Sequence, residues 1–161
     1  MPNPVRAIPE GYHSISPALT CKNAANAIEF YKSVFGATEI MRMPGPGGMI
    51  MHAEIRIGDS VVFINDEIPG LAVAPSGATL NPVYLFLYTE DVDAVFNRAV
   101  AANCKVTMPV TNQFWGDRYG KIRDPFGHRW GLAQHIEDVA PEEMKKRSEA
   151  FTTKLSKAAG K

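Results

Sequence analysis

The chain has 161 residues, of which 45% are hydrophobic and 21% charged. This length fits one compact domain or two small modules, because a domain of roughly 150 residues buries about 70% of its unfolded surface without disulfide or metal staples. Seventeen basic and seventeen acidic residues cancel, which excludes a strongly basic surface for nucleic acid or anionic membranes. The two cysteines, Cys21 and Cys104, lie far apart, so we predict a reducing, cytoplasmic location. We expect no signal peptide and no membrane span, because no apolar run is long enough.

The first half of the chain predicts a strand, a helix and three further strands. Asn23 is a suitable helix N-cap, and Gly36 a suitable C-cap. The predicted strands cover residues 14–21, 37–43, 49–57 and 60–65, the last two joined in a hairpin at Gly58-Asp59. Residues 66–81 contain two prolines and two glycines and predict a linker.

The same order of elements recurs in the second half. Asp91 caps a predicted helix, and strands are predicted over residues 81–88, 105–111, 119–123 and 128–134. A shift of about 68 residues superimposes Leu19 on Leu87 and Ile64 on Leu132. The sequence therefore predicts an α+β fold of two βαβββ modules, whose curved sheets jointly enclose a cleft.

A further helix is predicted over residues 141–159. Pro141 fits its first turn, and acidic residues come first and lysines late, as the helix dipole favours. Its apolar stripe consists of Met144, Phe151 and Leu155. Such a stripe predicts a helix that packs on the body of the protein or on a partner subunit.

Three stretches resemble one known family. Residues 27–37 read AIEFYKSVFGA, residues 52–60 read HAEIRIGDS, and residues 115–130 run from WGDRYG to DPFGHRW. With the repeat, they resemble the vicinal-oxygen-chelate superfamily, in the PhnB-like branch among its glyoxalase and bleomycin-resistance proteins. The resemblance covers residues 14–140 as one domain, with module one at about 14–65, the linker at 66–81 and module two at about 82–135. It implies a cupped mixed sheet with helices on the outer face, and usually a homodimer.

The resemblance also implies where a divalent ion would be held. Metalloenzymes of the family use four side chains, one each from the first and fourth strands of both modules. These positions fall at Ser16, Phe63, Tyr84 and Gly131. Divalent ions in such sites need imidazole or carboxylate ligands, which none of the four provides. We therefore predict no metal cofactor at the family site, and we do not expect the usual lactoylglutathione-lyase or dioxygenase chemistry.

Strand alternation then divides the side chains into a core face and a cleft face. The predicted core face is Ile15, Leu19, Met51, Ala53, Ile55, Ile57, Val83, Leu85, Leu87, Ile122, Trp130 and Leu132. The predicted cleft face carries a pair (His52 and Glu54), an aromatic set (Tyr84, Phe86 and Tyr88), a basic set (Arg56, Lys121 and Arg123) and Tyr119. Trp115 lies in a glycine-containing loop that can cover the cleft. We predict that ligand binding involves His52, Glu54, Arg56, Tyr84, Phe86, Trp115, Tyr119 and Arg123.

Each group on the cleft face admits two interpretations. His52 and Glu54 are candidate catalytic residues, a base with its partner or half of a metal site; alternatively they form a structural pair on an exposed sheet. The aromatic set either stacks on a planar ligand or fills the cleft as packing. The basic set either binds an anionic ligand or pairs with Glu54 on a solvated face.

Three functions are compatible with this pattern. The first is a protein that binds a small molecule in the cleft without the usual metal. The second is a glyoxalase-like lyase, isomerase or other small-molecule enzyme with a non-standard site, and the third is an antibiotic-sequestering resistance protein. The expected partners are a second copy of the chain and an unidentified small molecule, with no nucleic acid and no membrane.

Overall fold

The computed structural model describes residues 5–76 and 82–159. Within them, a strand, a helix and three strands follow one another twice, and a C-terminal helix ends the series. The first set is β1 Ala18–Cys21, α1 Ala24–Phe35, β2 Thr38–Pro44, β3 Ile50–Ile57 and β4 Ser60–Asp66. The second set is β5 Leu85–Tyr88, α2 Val92–Ala101, β6 Lys105–Asn112, β7 Asp117–Arg123 and β8 Arg129–His135, followed by α3 Pro141–Ala159. The predicted α+β fold of two βαβββ modules with a C-terminal helix is confirmed.

The chain divides into two compact units. Unit 1 comprises Met1–Asn81 and Pro125–His128, and unit 2 comprises Pro82–Asp124 and Arg129–Lys161. Each unit contains one four-stranded sheet, with strand order β1-β4-β3-β2 in unit 1 and β5-β8-β7-β6 in unit 2. In each sheet the first strand runs parallel to the fourth, and the other pairs are antiparallel.

The repeat extends to the pairing of individual residues. Phe63 of β4 pairs with Glu54 of β3, and Gly131 of β8 pairs with Lys121 of β7. The shift of about 68 residues that relates Phe63 to Gly131 also relates their parallel partners on β1 and β5. Glu54 and Lys121 therefore occupy equivalent positions in the two sheets and carry opposite charges.

The helix caps follow from local chemistry. The side-chain oxygen of Asn23 accepts a hydrogen bond from the backbone N–H of Asn26 at 3.0 Å, and Asp91 does the same for Ala94 at 2.9 Å. Gly36 ends α1 in the left-handed conformation, with φ of 68°, which favours glycine. All three predicted caps are confirmed.

Strand alternation separates core from exposed face along β3. Ala53, Ile55 and Ile57 are buried, whereas His52 and Glu54 are half-buried on the other face. Helix α1 lies against the buried face of β3 and β4, and α2 lies against β6, β7 and β8 in unit 2. Ile122, Trp130 and Leu132, which were predicted for the core of module two, are buried there.

Two predicted strands begin later than expected, and this changes the position of two predicted core residues. Strand β1 begins four residues after Ser14, and β5 begins at Leu85; the predicted start of β5, Asn81, lies outside the described residues. Proline has no N–H to contribute to a strand ladder, and Pro17 and Pro82 precede the two strands. Ile15 and Val83 consequently lie outside the sheets and are 84% and 65% exposed, so their assignment to the core was wrong.

Met51 is the third predicted core residue that is exposed. The pairing of β2 with β3 shifts register between Met43 and Pro44, next to the start of β3. Such an irregularity reverses which side chains face inward. Ile50 is therefore buried in place of Met51.

The C-terminal helix α3 has the predicted bounds. Met144 is half-buried, while Phe151 and Leu155 are exposed; the Phe151 ring centre lies 4.9 Å from that of Phe114. Arg147 forms an ion pair with Glu137 just before the helix. Of the helices in residues 5–76 and 82–159, none combines the length and apolar character needed to cross a membrane.

Candidate functional site

The first group of candidate residues lies on the face of β3 and β4 opposite the core of unit 1. His52 Nε2 lies 3.0 Å from Oε1 of Glu54, and the hydroxyl of Tyr12 donates a hydrogen bond to Oε2 of the same carboxylate. The Phe63 ring centre is 5.1 Å from the His52 ring and 6.4 Å from the Tyr12 ring. We name Tyr12, His52, Glu54 and Phe63 the unit 1 cluster. It brings together the two residues predicted as candidate catalytic groups.

Hydrogen bonding shifts the pKa values of two members of this cluster, Glu54 and Tyr12. The bond from Tyr12 lowers the pKa of Glu54; burial opposes this effect, and the bond to His52 reinforces it. The same bond raises the pKa of Tyr12. Glu54 is therefore ionised at neutral pH, and a carboxylate with a lowered pKa is poorly matched to general-base work there. Its chemical role is that of an acceptor that orients His52.

A cavity of about 450 Å³ adjoins the unit 1 cluster. The N-terminal segment, which we define as residues 7–16, forms one wall, and Glu54 and Phe63 lie on the other. Ser16, one of the four positions implied for a metal, also lines this cavity. Arg56, for which ligand binding stays a prediction, donates from Nη1 to the carbonyl oxygen of Gly11 at 3.2 Å. Arg56 thus ties the N-terminal segment to β3.

The second group of candidate residues lies on β5, β7 and β8 of unit 2. The rings of Phe86 and Tyr119 stack with centres 5.1 Å apart and planes 12° apart. Tyr119 is only 4% exposed, and burial together with a hydrogen bond between its hydroxyl and that of Tyr84 raises its pKa. The Tyr119 ring lies over Gly131, where an added Cβ would be 2.8 Å from ring atom Cε2. Glycine is therefore needed at this position to leave room for the tyrosine.

Basic side chains adjoin this aromatic surface. Lys121 Nζ lies 4.9 Å from the centre of the Tyr84 ring and 5.8 Å from that of Tyr119. The guanidinium carbon of Arg129 lies 5.9 Å from the Tyr84 ring centre. Arg123 pairs with Arg129 across β7 and β8, so its charge is at the same end of the sheet. The distances from Lys121 and Arg129 to the tyrosine rings are within the range of cation–π attraction.

The residues at the positions implied for a divalent ion do not fit one. Ser16 and Tyr84 offer neutral hydroxyls, Phe63 a phenyl ring, and Gly131 no side chain. In unit 1 the Phe63 ring itself occupies the position, and in unit 2 the Tyr119 ring covers Gly131. Across the described parts of the chain, no group of three His, Cys, Asp or Glu side chains is close enough to hold a metal ion.

A buried carboxylate in unit 2 was missed by sequence reasoning. Asp117 is 3% exposed, and Oδ2 accepts hydrogen bonds from Trp115 Nε1 at 2.9 Å and from the Tyr88 hydroxyl at 3.0 Å. Its Oδ1 lies 2.9 Å from Nδ1 of His135, whose pKa is raised by Asp138 and by Asp117. The loop residue Trp115, predicted to cover the cleft, is thus tied to the start of β7.

Sequence reasoning missed two residues of the candidate site, Asp117 and Tyr12. Strand alternation could have found the first but not the second. Asp117 shares the odd-numbered face of β7 with Tyr119, so a strand predicted two residues longer would have included it. Tyr12 precedes the first strand, where alternation gives no information. Only the fold brings it to Glu54, 42 positions away.

Two βαβββ modules, together with the sequence stretches at residues 27–37, 52–60 and 115–130, define the class of protein. The chain belongs to the Glyoxalase/Bleomycin resistance protein/Dioxygenase superfamily, whose sequence model matches residues 13–132. The predicted resemblance is thereby confirmed.

Individual proteins are similar to this chain over most of its length. An uncharacterized protein of Mycobacterium bovis is 42% identical over 135 residues, which are 81% of this chain and 89% of that protein. TioX from Micromonospora sp. ML1 is 26% identical in sequence. Its crystal structure matches with a TM-score of 0.61, covering 77% of this chain and 99% of the TioX chain. The PhnB protein from Bacillus cereus is 20% identical, with a TM-score of 0.62 over 76% of this chain and 99% of that one, a likeness of fold.

Proposed function

We propose that this chain is a PhnB-like protein that binds a small organic molecule on the polar and aromatic faces of its sheets, without a divalent ion. One observation carries the proposal: at the equivalent positions 63 and 131, where the family resemblance implies metal ligands, aromatic rings take the space. Aromatic walls with a few polar groups are the usual form of a small-molecule site. Tyr84 and Phe86 are 40% and 43% exposed, so their rings remain accessible to a ligand.

The metal-free part of the proposal is tested by elemental analysis of untagged protein. We expect Zn, Mn, Ni and Fe at well below one atom per chain, and no rise in melting temperature when these ions are added. A stoichiometric ion would overturn this part. Measuring the His52→Ala variant in parallel distinguishes an ion held by His52 and Glu54, whose content the substitution lowers, from one held at the family positions.

The binding part is tested with phenylnaphthylamine, a neutral fluorescent aromatic molecule, in buffer containing a chelator. We expect saturable binding that weakens in Tyr84→Ala by about 1 kcal/mol or more, because a stacking surface is lost. Phe151→Ala on α3 is the matched control, since Phe151 is an aromatic side chain of similar exposure, 42%. Absence of saturable binding, or equal weakening in both variants, contradicts the proposal.

A metal-independent enzyme is the second candidate, and the orientation of His52 by Glu54 is the observation in its favour. The discriminating assay is turnover of the adduct of methylglyoxal and glutathione in the presence of a chelator. Turnover that is lost in His52→Ala supports the enzyme. Binding without turnover supports a carrier or a sequestering protein.

We propose further that the protein works as a homodimer in the cytoplasm. The exposed edge strands β2 and β6 support the homodimer. The cytoplasmic location is supported by the two cysteines, which are both present as thiols. Burial raises the pKa of the Cys104 thiol to about 12, so this cysteine is protonated and is not a nucleophile.

A further inference from the structure

One end of the unit 2 sheet concentrates positive charge on the same face as its exposed aromatic rings. Lys121 and Arg123 alternate along β7 on the face of Tyr119, and Arg129 lies opposite Arg123 on β8. Tyr84 precedes β5 at this end, with the Lys121 ammonium and the Arg129 guanidinium over its ring. We name Tyr84, Lys121, Arg123 and Arg129 the basic end.

Two cations of the basic end, Lys121 and Arg123, have no neutralising acid beside them in the described parts of the chain. Among residues 5–76 and 82–159, no carboxylate lies within 4.0 Å of the charged nitrogens of Lys121 or Arg123. Asp117 shares their face of β7 but lies at the other end of the strand, where Tyr88, Trp115 and His135 surround it. Half-buried cations of this kind gain from an anion that replaces part of their lost hydration.

The spacing of the rings and charges defines the size of a suitable ligand. Gly131 of β8 pairs with Phe86 on one side and with Lys121 on the other. Neighbouring strands are about 4.8 Å apart, so the backbones of Phe86 and Lys121 are separated by roughly 10 Å across the sheet. That distance matches a fused or linked pair of aromatic rings carrying one acidic group. The buried Tyr119 ring stacks on Phe86 and supports it from behind.

We propose that this face of unit 2 binds a planar aromatic molecule with an anionic group. Its rings lie on Tyr84 and Phe86, and its carboxylate, sulfonate or similar acid is held by Lys121 and Arg123. The inference rests on the proposed small-molecule function and adds the chemical class of the ligand. The preference for an anionic group is specific to unit 2, because the equivalent of Lys121 in unit 1 is the carboxylate Glu54.

The experiment compares two probes that differ in a single group. Anilinonaphthalene sulfonate carries the negative charge, and phenylnaphthylamine is the same ring system without the sulfonate. Both are titrated into the full chain at low and high salt, with fluorescence as the readout. We expect the sulfonate to bind about tenfold more tightly than the neutral probe at low salt, and this advantage to shrink at high salt.

Charge-removing variants locate the anion. Lys121→Met keeps the apolar stem, and we expect it to weaken sulfonate binding about tenfold while leaving the neutral probe within about twofold. Arg123→Gln should act in the same direction, and it serves as the second variant if Lys121→Met unfolds. Lys145→Met, an exposed lysine of α3, is the matched control and should change neither probe.

Failure of this inference differs from failure of the proposed function. Equal affinity for both probes, or an unchanged preference in Lys121→Met and Arg123→Gln, overturns the anionic ligand but leaves aromatic binding standing. Absence of saturable binding of either probe overturns both.

Discussion

At the scale of single residues, Gly131 and Tyr119 form the most constrained contact of the candidate site. An added Cβ at Gly131 would lie 2.8 Å from Cε2 and 2.9 Å from the hydroxyl of Tyr119, and 3.2 Å from the Phe86 ring. Because Tyr119 is buried against Phe86, the ring has little space to move away. The sequence placed Tyr119 and Phe86 on one face, but only the structure shows that a missing side chain makes room for their stack.

We therefore expect Gly131→Ala to lower the free energy of unfolding by about 1–3 kcal/mol, the usual range for overpacking. Urea titration of the purified variant measures this change. Tyr119→Leu in the same chain should recover part of the loss, so the two substitutions should couple in a double-mutant cycle. A Gly131→Ala protein as stable as the parent would show that the ring is not held in place.

At the scale of elements, the N-terminal segment is attached to β3 by side chains that the strand pattern does not predict. Tyr12 donates to Glu54, and Arg56 donates to the carbonyl of Gly11. The lowered pKa of Glu54 means that its ionised form stabilises the fold. This stabilisation is present above the ordinary pKa of 4.5 and is lost as the pH falls through the lower pKa of the folded state.

The expected consequence is a pH-dependent effect of Tyr12→Phe. At pH 7 the variant should have a lower free energy of unfolding than the parent, because the ionised carboxylate has lost its donor. The difference should shrink as the pH is lowered below 4.5, since a protonated Glu54 is a weaker acceptor. Urea titrations over this pH range measure it. In a Glu54→Gln background, the effect of Tyr12→Phe on the free energy of unfolding should not vary with pH. An effect that is also independent of pH in the parent background would argue against the contact between Tyr12 and Glu54.

At the scale of the whole molecule, each sheet ends in an exposed strand. All seven residues of β2 are exposed, including Ile40 and Met41 at 42% and Met43 at 49%. Val106 of β6 is 41% exposed. An exposed edge with apolar side chains invites pairing with another chain, which supports the proposed homodimer.

Light scattering at micromolar concentration should therefore report about twice the chain mass of 17.6 kDa. An interface of well over about 1,000 Å² is expected for such an assembly. Ile40→Lys should shift the population toward the monomer if β2 lies in the interface, and Leu155→Lys on α3 tests the other exposed apolar stripe. A parent protein that scatters as a monomer would refute the homodimer.

The sequence by itself determined the elements and their repeat, because caps, turns and alternation depend on neighbours within a few positions. Asn23, Asp91 and Gly36 bound their helices as predicted, and the face of β3 that carries His52 and Glu54 was assigned correctly. The three stretches that resemble the family added the expectation that the two modules form the fold of that family.

The tertiary structure alone decided which side chains meet at the candidate site. Tyr12 reaches Glu54 across 42 positions, and Tyr88 reaches Asp117 across 29, neither of which follows from local pattern. The irregular pairing beside Met51 turned that residue outward, because register is set by the partner strand. Contacts between distant segments depend on how strands pair and helices pack. The local sequence does not show which distant residues this pairing and packing bring together.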